Sequence, residues 1–482
     1  MSYFMLLVYV ANFIFSILIV FVERKKPFDA LAWLLVLSLL PAVGFVFYIF
    51  IGSTLSFRLD SLLSRKSQLD KELDALLNRD KTSVFDRLEV APEAEEYHEL
   101  VRMLENVGNC AYTQDNDVAL LVNGQAFFPR LLKDIEAAQH SIHIEFFIFE
   151  ARDTIGKSVL EALARRASAG VDVRLIYDAM GALRNRPHHF KALRQAGGRV
   201  YRHLPSMAAS ILNANYLNHR KIVVIDGAVG YTGGINVGDA YLGHHKRCRP
   251  WRDTMIRLTG SSVGDLQVRF MKDWRFLEKR MRIKDPLTLR PDHFPPLTPS
   301  GRMGVQVISS GPDTPYEPIK NGMITMMYAA TKRISVQSPY LIPDESFMSA
   351  LINAAASGLR VEVMLPGIGD KDYVYHVTKS NIEPLLEAGV HVYFYRGFLH
   401  AKMMLVDDKV VTIGTTNVDI RSFQLDFEVN AFIYDKAFCA DCRAVFDDDL
   451  AQCDELSLEA FKKRSVFSKI LESIYRLFSP IM

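Results

Sequence analysis

A strand–helix–strand order that occurs twice along the chain predicts an α/β protein: two similar halves sharing one active-site cleft, preceded by an N-terminal two-helix transmembrane hairpin. Three observations carry this prediction. The soluble part contains an internal repeat. An HxKx4D motif stands at the equivalent point of each repeat, at His219/Lys221/Asp226 and at His400/Lys402/Asp407. Two long apolar runs open the chain.

The apolar runs come first. Tyr3 to Val22 is interrupted only by Asn12 and Ser16. Its length suits a bilayer-crossing helix of about 20 residues. A second run, Ala30 to Ile51, has no charge. The first run lacks a basic leader and a small-residue cleavage site, which argues against a removable signal peptide. Residues 1–54 therefore read as a membrane hairpin. Arg24, Lys25 and Lys26 favour a cytoplasmic loop, whereas Arg58, Arg65, Lys66 and Lys71 pull the other way, so the membrane face stays open. Residues 55–110 read as a helical connector, charged and amphipathic from Leu55 to about Asp80.

Residues 111–284 form the first half and 303–456 the second. Ser141–Ile148 reads as a strand, Lys157–Arg166 as a helix and Gly170–Tyr177 as a strand. Ile334–Leu341, Phe347–Ala355 and Gly358–Leu365 repeat that order. Both halves continue through an Ala-Gly step, Ala196-Gly197 and Ala388-Gly389, to the motif. Alternating strands and helices predict a largely parallel sheet. The first half carries an insert at 205–215, small and apolar, which is either a loop dipping toward lipid or an ordinary packed loop. The Pro-rich stretch 285–302 reads as a linker. Residues 457–482 read as a C-terminal amphipathic helix, basic at Lys462, Lys463 and Arg464 and apolar at helical spacing, lying either on anionic lipid or on the enzyme body.

Composition narrows the classes. Hydrophobic residues make up 49% and the formal net charge is +2, so the chain can bury a large core and has no global basic field. Nucleic acid is thus not expected as a partner. Five cysteines make no disulfide framework, and the Cys439/Cys442 pair has no second pair or histidine to complete a zinc set.

In each motif the histidine and lysine have the same parity along a strand, so they point to one face. The aspartate is seven residues from the histidine, next to Gly227 in the first copy and Asp408 in the second. That spacing suits a turn that fixes the strand register. All six motif residues make up the candidate catalytic set. Asn236 and Asn417 follow at equivalent Gly-rich steps, where an amide can donate to a phosphoryl oxygen. Asp253 and Glu428 are candidates to accept a histidine Nδ1 proton and hold the tautomer. Two such histidines can flank one phosphorus, one attacking it and the other moving the proton of the leaving or entering alcohol. The lysines and amides balance the charge on the nonbridging oxygens, and no metal or cofactor is required.

These residues resemble the phospholipase D superfamily and, within it, the bacterial cardiolipin synthases. The likeness rests on ERKKP, LNHRKIVVIDG, GYTGGINVGD and WRDT, then SPYLIPDESF, GFLHAKMMLVDD, GTTNVD and RSFQLDFEVN. It covers nearly the whole chain. Departures are mild: the family usually has serine where Thr415 or Thr416 stands, and asparagine where Asp426 stands. The resemblance implies two phospholipase D-type halves and a multi-pass protein of the bacterial inner membrane. It implies transfer of a phosphatidyl group between two phosphatidylglycerol molecules through a phosphohistidine, with glycerol released, His219 as nucleophile and His400 as acid and base. The alternative is a phospholipase D-type hydrolase or another phosphodiesterase. A homo-oligomer is left open.

Overall fold

The computed structural model describes residues 3–23, 27–48, 68–77, 90–203, 216–281, 286–296, 299–477 and 479. The charged loop at 24–26, most of the 55–80 stretch and the 205–215 insert lie outside the described residues. The chain divides into two units, 1–67 with 204–217, and 68–203 with 218–482.

In the first unit, helix Tyr3–Ile17 continues through a wider π-helical stretch, Leu18–Glu23. Among the described residues, Tyr3–Val22 is the one helix long and apolar enough to cross a membrane. The second apolar run is broken into helices Pro27–Leu39 and Pro41–Phe47. The break has a covalent cause: Pro41 has no N–H to give the Leu37 carbonyl four residues back. Asn12 supplies the missing donor. Its amide reaches the Leu37 carbonyl at 3.1 Å and the Pro41 carbonyl at 3.0 Å. Ile19, Leu37 and Tyr48 are buried together, with Phe15 and Trp33 packed on the Tyr48 ring.

The second unit is built on one sheet. Its strands are β1 (Thr113–Val122), β2 (Ser141–Phe146), β3 (Asp172–Asp178), β4 (Arg199–His203), β5 (Lys221–Ile225), β6 (Val229–Gly233) and β7 (Thr254–Thr259) in the first half. The second half supplies β8 (Met303–Ser310), β9 (Arg333–Gln337), β10 (Arg360–Pro366), β11 (His391–Tyr395), β12 (Met403–Val406), β13 (Val410–Gly414) and β14 (Glu428–Tyr434), with β15 (Cys453–Glu455) at the edge. The order is β15-β11-β10-β9-β12-β13-β14-β8-β1-β7-β6-β5-β2-β3-β4. Each strand of the first half thus has its counterpart seven strands on, and the halves meet where β1 pairs antiparallel with β8. Asn116 ties this joint, its buried amide donating to the carbonyls of Thr113 and Met303, each at 3.1 Å.

The expected largely parallel sheet is corrected to a mixed one. Within this sheet, among the described residues, parallel pairing is confined to β2-β3-β4 and β9-β10-β11. The motif strands β5 and β12 run antiparallel to β2 and β9 and turn straight back into β6 and β13. A tight turn can only join antiparallel neighbours, and the motif aspartates make such turns. Alternation along β5 and β12 builds the layers. Ile222, Val224, Met403 and Leu405 face helices Val263–Met281 and Lys436–Leu450 in one core that spans both halves. Val223 and Ile225 face helices Asn123–Ala137 and Thr154–Ser168, and Met404 and Val406 face helices Pro318–Ala329 and Glu345–Ala356. Cys439 and Cys442 are buried free thiols within the spanning core.

Candidate active site

The two halves exchange backbone at the motif histidines. Phe398-Leu399, just before His400, pairs in parallel with Trp251-Arg252, and the His400 N–H donates to the Arg252 carbonyl at 2.7 Å. On the other side Asn218 bridges Phe427, and the His219 N–H donates to the Phe427 carbonyl at 3.0 Å. Arg252 immediately precedes Asp253, and Phe427 immediately precedes Glu428. Each histidine is therefore fastened beside a carboxylate of the opposite half.

The side chains follow the same crossing. His219 Nδ1 lies 2.9 and 3.1 Å from the two Glu428 oxygens. His400 Nδ1 lies 2.7 Å from Asp253 Oδ2. A carboxylate on Nδ1 holds the proton there and leaves Nε2 as the lone-pair nitrogen. Burial, helped by Lys221 and Lys402, brings the His219 imidazole down to about 4 against the pull of Glu428. Burial and Lys402 bring His400 to about 4 in the same way. Both rings are thus neutral near pH 7, the state a nitrogen nucleophile needs. Burial pushes the Glu428 carboxyl up, but His219, Lys221 and Thr415 outweigh it and hold it below its ordinary value.

Lys221 and Lys402 fold back so that each ammonium donates to the carbonyl of its own motif histidine. Burial lowers Lys221 to about 7 and Lys402 to about 8. Each lysine depresses the other half's histidine, so the four groups share one electrostatic field. An anion entering that field restores full charge to both lysines.

The other candidates divide. Asn236 stands beside the site, its amide donating to the Tyr241 hydroxyl at 2.7 Å and its oxygen accepting from the Ile148 N–H at 3.0 Å. Asn417 is buried, bonded to Asp419, with its Oδ1 unpartnered. Asp226 and Asp407 do not meet the histidines. Asp226 accepts from the N–H groups of Gln139, His140 and Ser141 at 2.8, 2.7 and 2.8 Å. Asp407 accepts likewise from Thr331, Lys332 and Arg333. Both sit in the left-handed backbone region, at φ 52° and 53°. They pin the turn after each motif strand to the start of β2 or β9.

Several neighbours escape sequence reasoning. The Thr415 hydroxyl donates to Glu428. At the equivalent place the first half has Gly234, where an added Cβ would meet Asp253 Oδ1 at 2.0 Å. The halves thus hold their carboxylates differently: a hydroxyl grips the longer glutamate, and an empty position admits the aspartate. Behind them stand two buried ion pairs. Arg220 binds Asp273 with both contacts at 2.9 Å and donates to the Glu428 carbonyl, and Arg252 binds Asp449 at 2.8 Å. The arginines were visible in HRK and WRDT, but their partners lie 53 and 197 residues away. Phe147 walls His219, while Trp251 and Phe398 wall His400. Among the described residues one trio has ligand-like spacing, His143, Asp172 and His293. It lies at the start of β3, away from these histidines, and its carboxylate is already bonded to Arg174 and Arg199.

Comparison with known proteins decides the family. The family described as "Cardiolipin synthase, PLD-like domain" matches residues 131–274 and 323–450, which carry both motifs. The "Phospholipase_D-nuclease N-terminal" family matches residues 10–53. The chain is 40% identical to the major cardiolipin synthase ClsA of Bacillus subtilis, over 99% of this chain and 98% of that one. The chain belongs to the cardiolipin synthase family. Its enzymatic core is a pair of phospholipase D-like domains, and it is a phosphatidyltransferase-type enzyme by that membership. Cardiolipin synthase 2 of Staphylococcus epidermidis is 39% identical over 98% of this chain and 96% of that one. Among solved structures, the phosphatidylserine synthase of Haemophilus influenzae shares the fold with a TM-score of 0.62 at 14% identity, covering 80% of this chain and all of that one.

Proposed function

We propose that this cardiolipin synthase family member joins two phosphatidylglycerol molecules through a covalent phosphohistidine. The observation that carries the reading is the crossed pair of Nδ1–carboxylate contacts, His219 on Glu428 and His400 on Asp253. His219 Nε2 attacks the phosphorus of the first lipid. As the P–O bond to the glycerol headgroup breaks, His400 gives its Nε2 proton to the departing oxygen. For this step His400 must enter protonated, and the negative diester beside it raises the imidazole from its ligand-free value. The product is a phosphatidyl-histidine whose ring charge Glu428 neutralises. His400, now neutral, takes the hydroxyl proton of a second phosphatidylglycerol. The resulting alkoxide displaces His219 from phosphorus, giving cardiolipin and the starting enzyme. Lys221 and Lys402 hold the nonbridging oxygens, assisted by Asn236 and Asn417.

Membrane anchoring belongs to the same reading. The apolar Tyr3–Val22 helix and the broken helix pair Pro27–Phe47, joined through Asn12, form a two-span hairpin in a bacterial inner membrane. Supplying the purified full-length protein with phosphatidylglycerol tests the reaction. Cardiolipin plus glycerol is the expected product. Phosphatidic acid without cardiolipin sinks the synthase reading in favour of hydrolysis, and a phosphoryl label mapped to His400 reverses the two histidine roles.

A further inference from the structure

The C-terminal helix Val466–Arg476 is docked the wrong way round for a water-soluble protein. An amphipathic helix normally turns its apolar stripe to the core. Here the side turned to the enzyme body is mixed: Tyr475 packs on a small apolar cluster of Ile342, Val374 and Val377, and the one fully buried residue is charged. Glu472 is 3% exposed, bonded to Arg464 at 3.1 Å and to the Ser468 hydroxyl at 2.9 Å. Tyr475 stacks on His376 of the helix Asp372–Ser380, with ring centroids 5.6 Å apart. The apolar stripe points outward: Val466 and Phe467 are each 74% exposed, Leu477 79%, and Ile470 and Ile474 about half. Exposed apolar surface of this continuity marks an interaction site.

Its place in the fold ties it to the catalytic cleft. Helix Asp372–Ser380 follows the loop that leaves the C-terminal end of β10. In that loop Asp370 accepts from the Tyr340 hydroxyl at 2.9 Å and acts on Lys402. The loop at the matching end of β3 bears Met180 and Leu183, 46% and 67% exposed. It is held by Asp178, whose other oxygen accepts from Asn218, the neighbour of His219. Exposed apolar groups thus lie beyond equivalent strand ends in both halves, on segments bonded to neighbours of the catalytic groups. The segment 458–477 also carries five basic residues against two acidic ones, and one of the acidic pair is the buried Glu472.

We propose that this stripe, with Met180 and Leu183 opposite, inserts into the surface of an anionic bilayer and seats the cleft on its lipid substrate. The proposal rests on the lipid-substrate reading above and deepens it. Side chains enter the acyl boundary while Lys469 and Arg476 meet the headgroups, as in interfacial helices, with Lys462 and Lys463 held at the surface by Glu387 and Glu459.

The test uses the full-length protein in phosphatidylglycerol vesicles doped with a phosphatidylglycerol that carries a photoreactive acyl chain. His219→Ala protein serves for mapping, so that labelling is independent of turnover. Lipid adducts within 466–477 are expected, and fewer of them in phosphatidylcholine vesicles. Absence of adducts there, or cross-links from Phe467 to protein instead of lipid, overturns the proposal. A triple variant, Phe467→Ser with Ile470→Ser and Ile474→Ser, should raise KM on vesicles roughly fivefold or more while leaving kcat on monomeric short-chain phosphatidylglycerol within about twofold. Equal kinetics of the variant and the parent protein on vesicles would also refute the insertion. Failure of the parent protein on the short-chain substrate counts against the synthase reading alone.

Discussion

Glu428→Gln removes one negative charge from behind His219 and changes almost nothing else. The residue is fully buried, with its oxygens 2.9 and 3.1 Å from Nδ1, and Gln has nearly the same shape. Its amide oxygen can still accept from Nδ1–H, and the Thr415 hydroxyl can rotate to accept from the new NH2 group. What is lost is the attraction between the carboxylate and the positive ring that forms when Nε2 bonds to phosphorus. At about 2.9 Å and an effective dielectric near 20, that attraction is about 6 kcal/mol. A neutral hydrogen bond retains about 1 kcal/mol, and the remaining dipole somewhat more. A net loss of about 3–5 kcal/mol lowers kcat by roughly 10²- to 10⁴-fold. KM should rise less than kcat falls: the ring is neutral before attack, while the loss of Glu428 withdraws part of the support for the charges of Lys221 and Lys402. Rapid-quench measurement of glycerol release reads the first transfer directly, and its burst should slow by the same factor. A variant with kcat within about tenfold of the parent, or one that fails only through KM, would refute the charged-intermediate argument.

The remaining predictions concern charge, turns and the Glu428 support. Lys221→Met should abolish transfer yet stabilise the fold by about 1–3 kcal/mol near neutral pH: the buried lysine sits at about 7 against 10.5, and part of the gain is offset by the bond lost to the His219 carbonyl. Because the unfolded lysine keeps its proton up to about 10.4, the parent protein gains stability as pH rises above 7, so the variant's advantage in detergent-solubilised unfolding should shrink over that window. Phosphodiester affinity should fall as pH rises through about 7 to 8, where the free enzyme loses the charges of Lys221 and Lys402, and KM against pH measures it. Asp226→Ala should cost about 2–4 kcal/mol of stability through three lost amide contacts and a left-handed backbone, with kcat of the folded fraction largely kept. Thr415→Ser should be near neutral, since a hydroxyl still reaches Glu428, whereas Thr415→Val should lower kcat about tenfold.

The repeat, the motif pair and the parity that sets His219 beside Lys221 were legible in the chain because they are local: period-two alternation and turn spacing need only neighbouring residues. The turn role of Asp226 followed from the same spacing. The sheet's mixed direction was not legible in the strand–helix alternation, which says nothing of a motif strand that turns back on itself. The run from Ala30 to Ile51 reads as one span, whereas the structure breaks it at Pro41, and the donor that answers the break, Asn12, lies 29 residues away.

The chain by itself determined which chemistry is carried, two imidazoles and two ammonium groups in matched halves. Tertiary structure alone decided how each histidine is held. Asp253 and Glu428 could have served the histidine of their own half or of the other; the strand exchanges at Arg252 and Phe427 settle it, pairing residues 147 and 209 positions apart. No local propensity encodes such a choice, because it depends on where the two halves of one sheet meet, and the same burial that joins them sets the protonation of the groups they bring together.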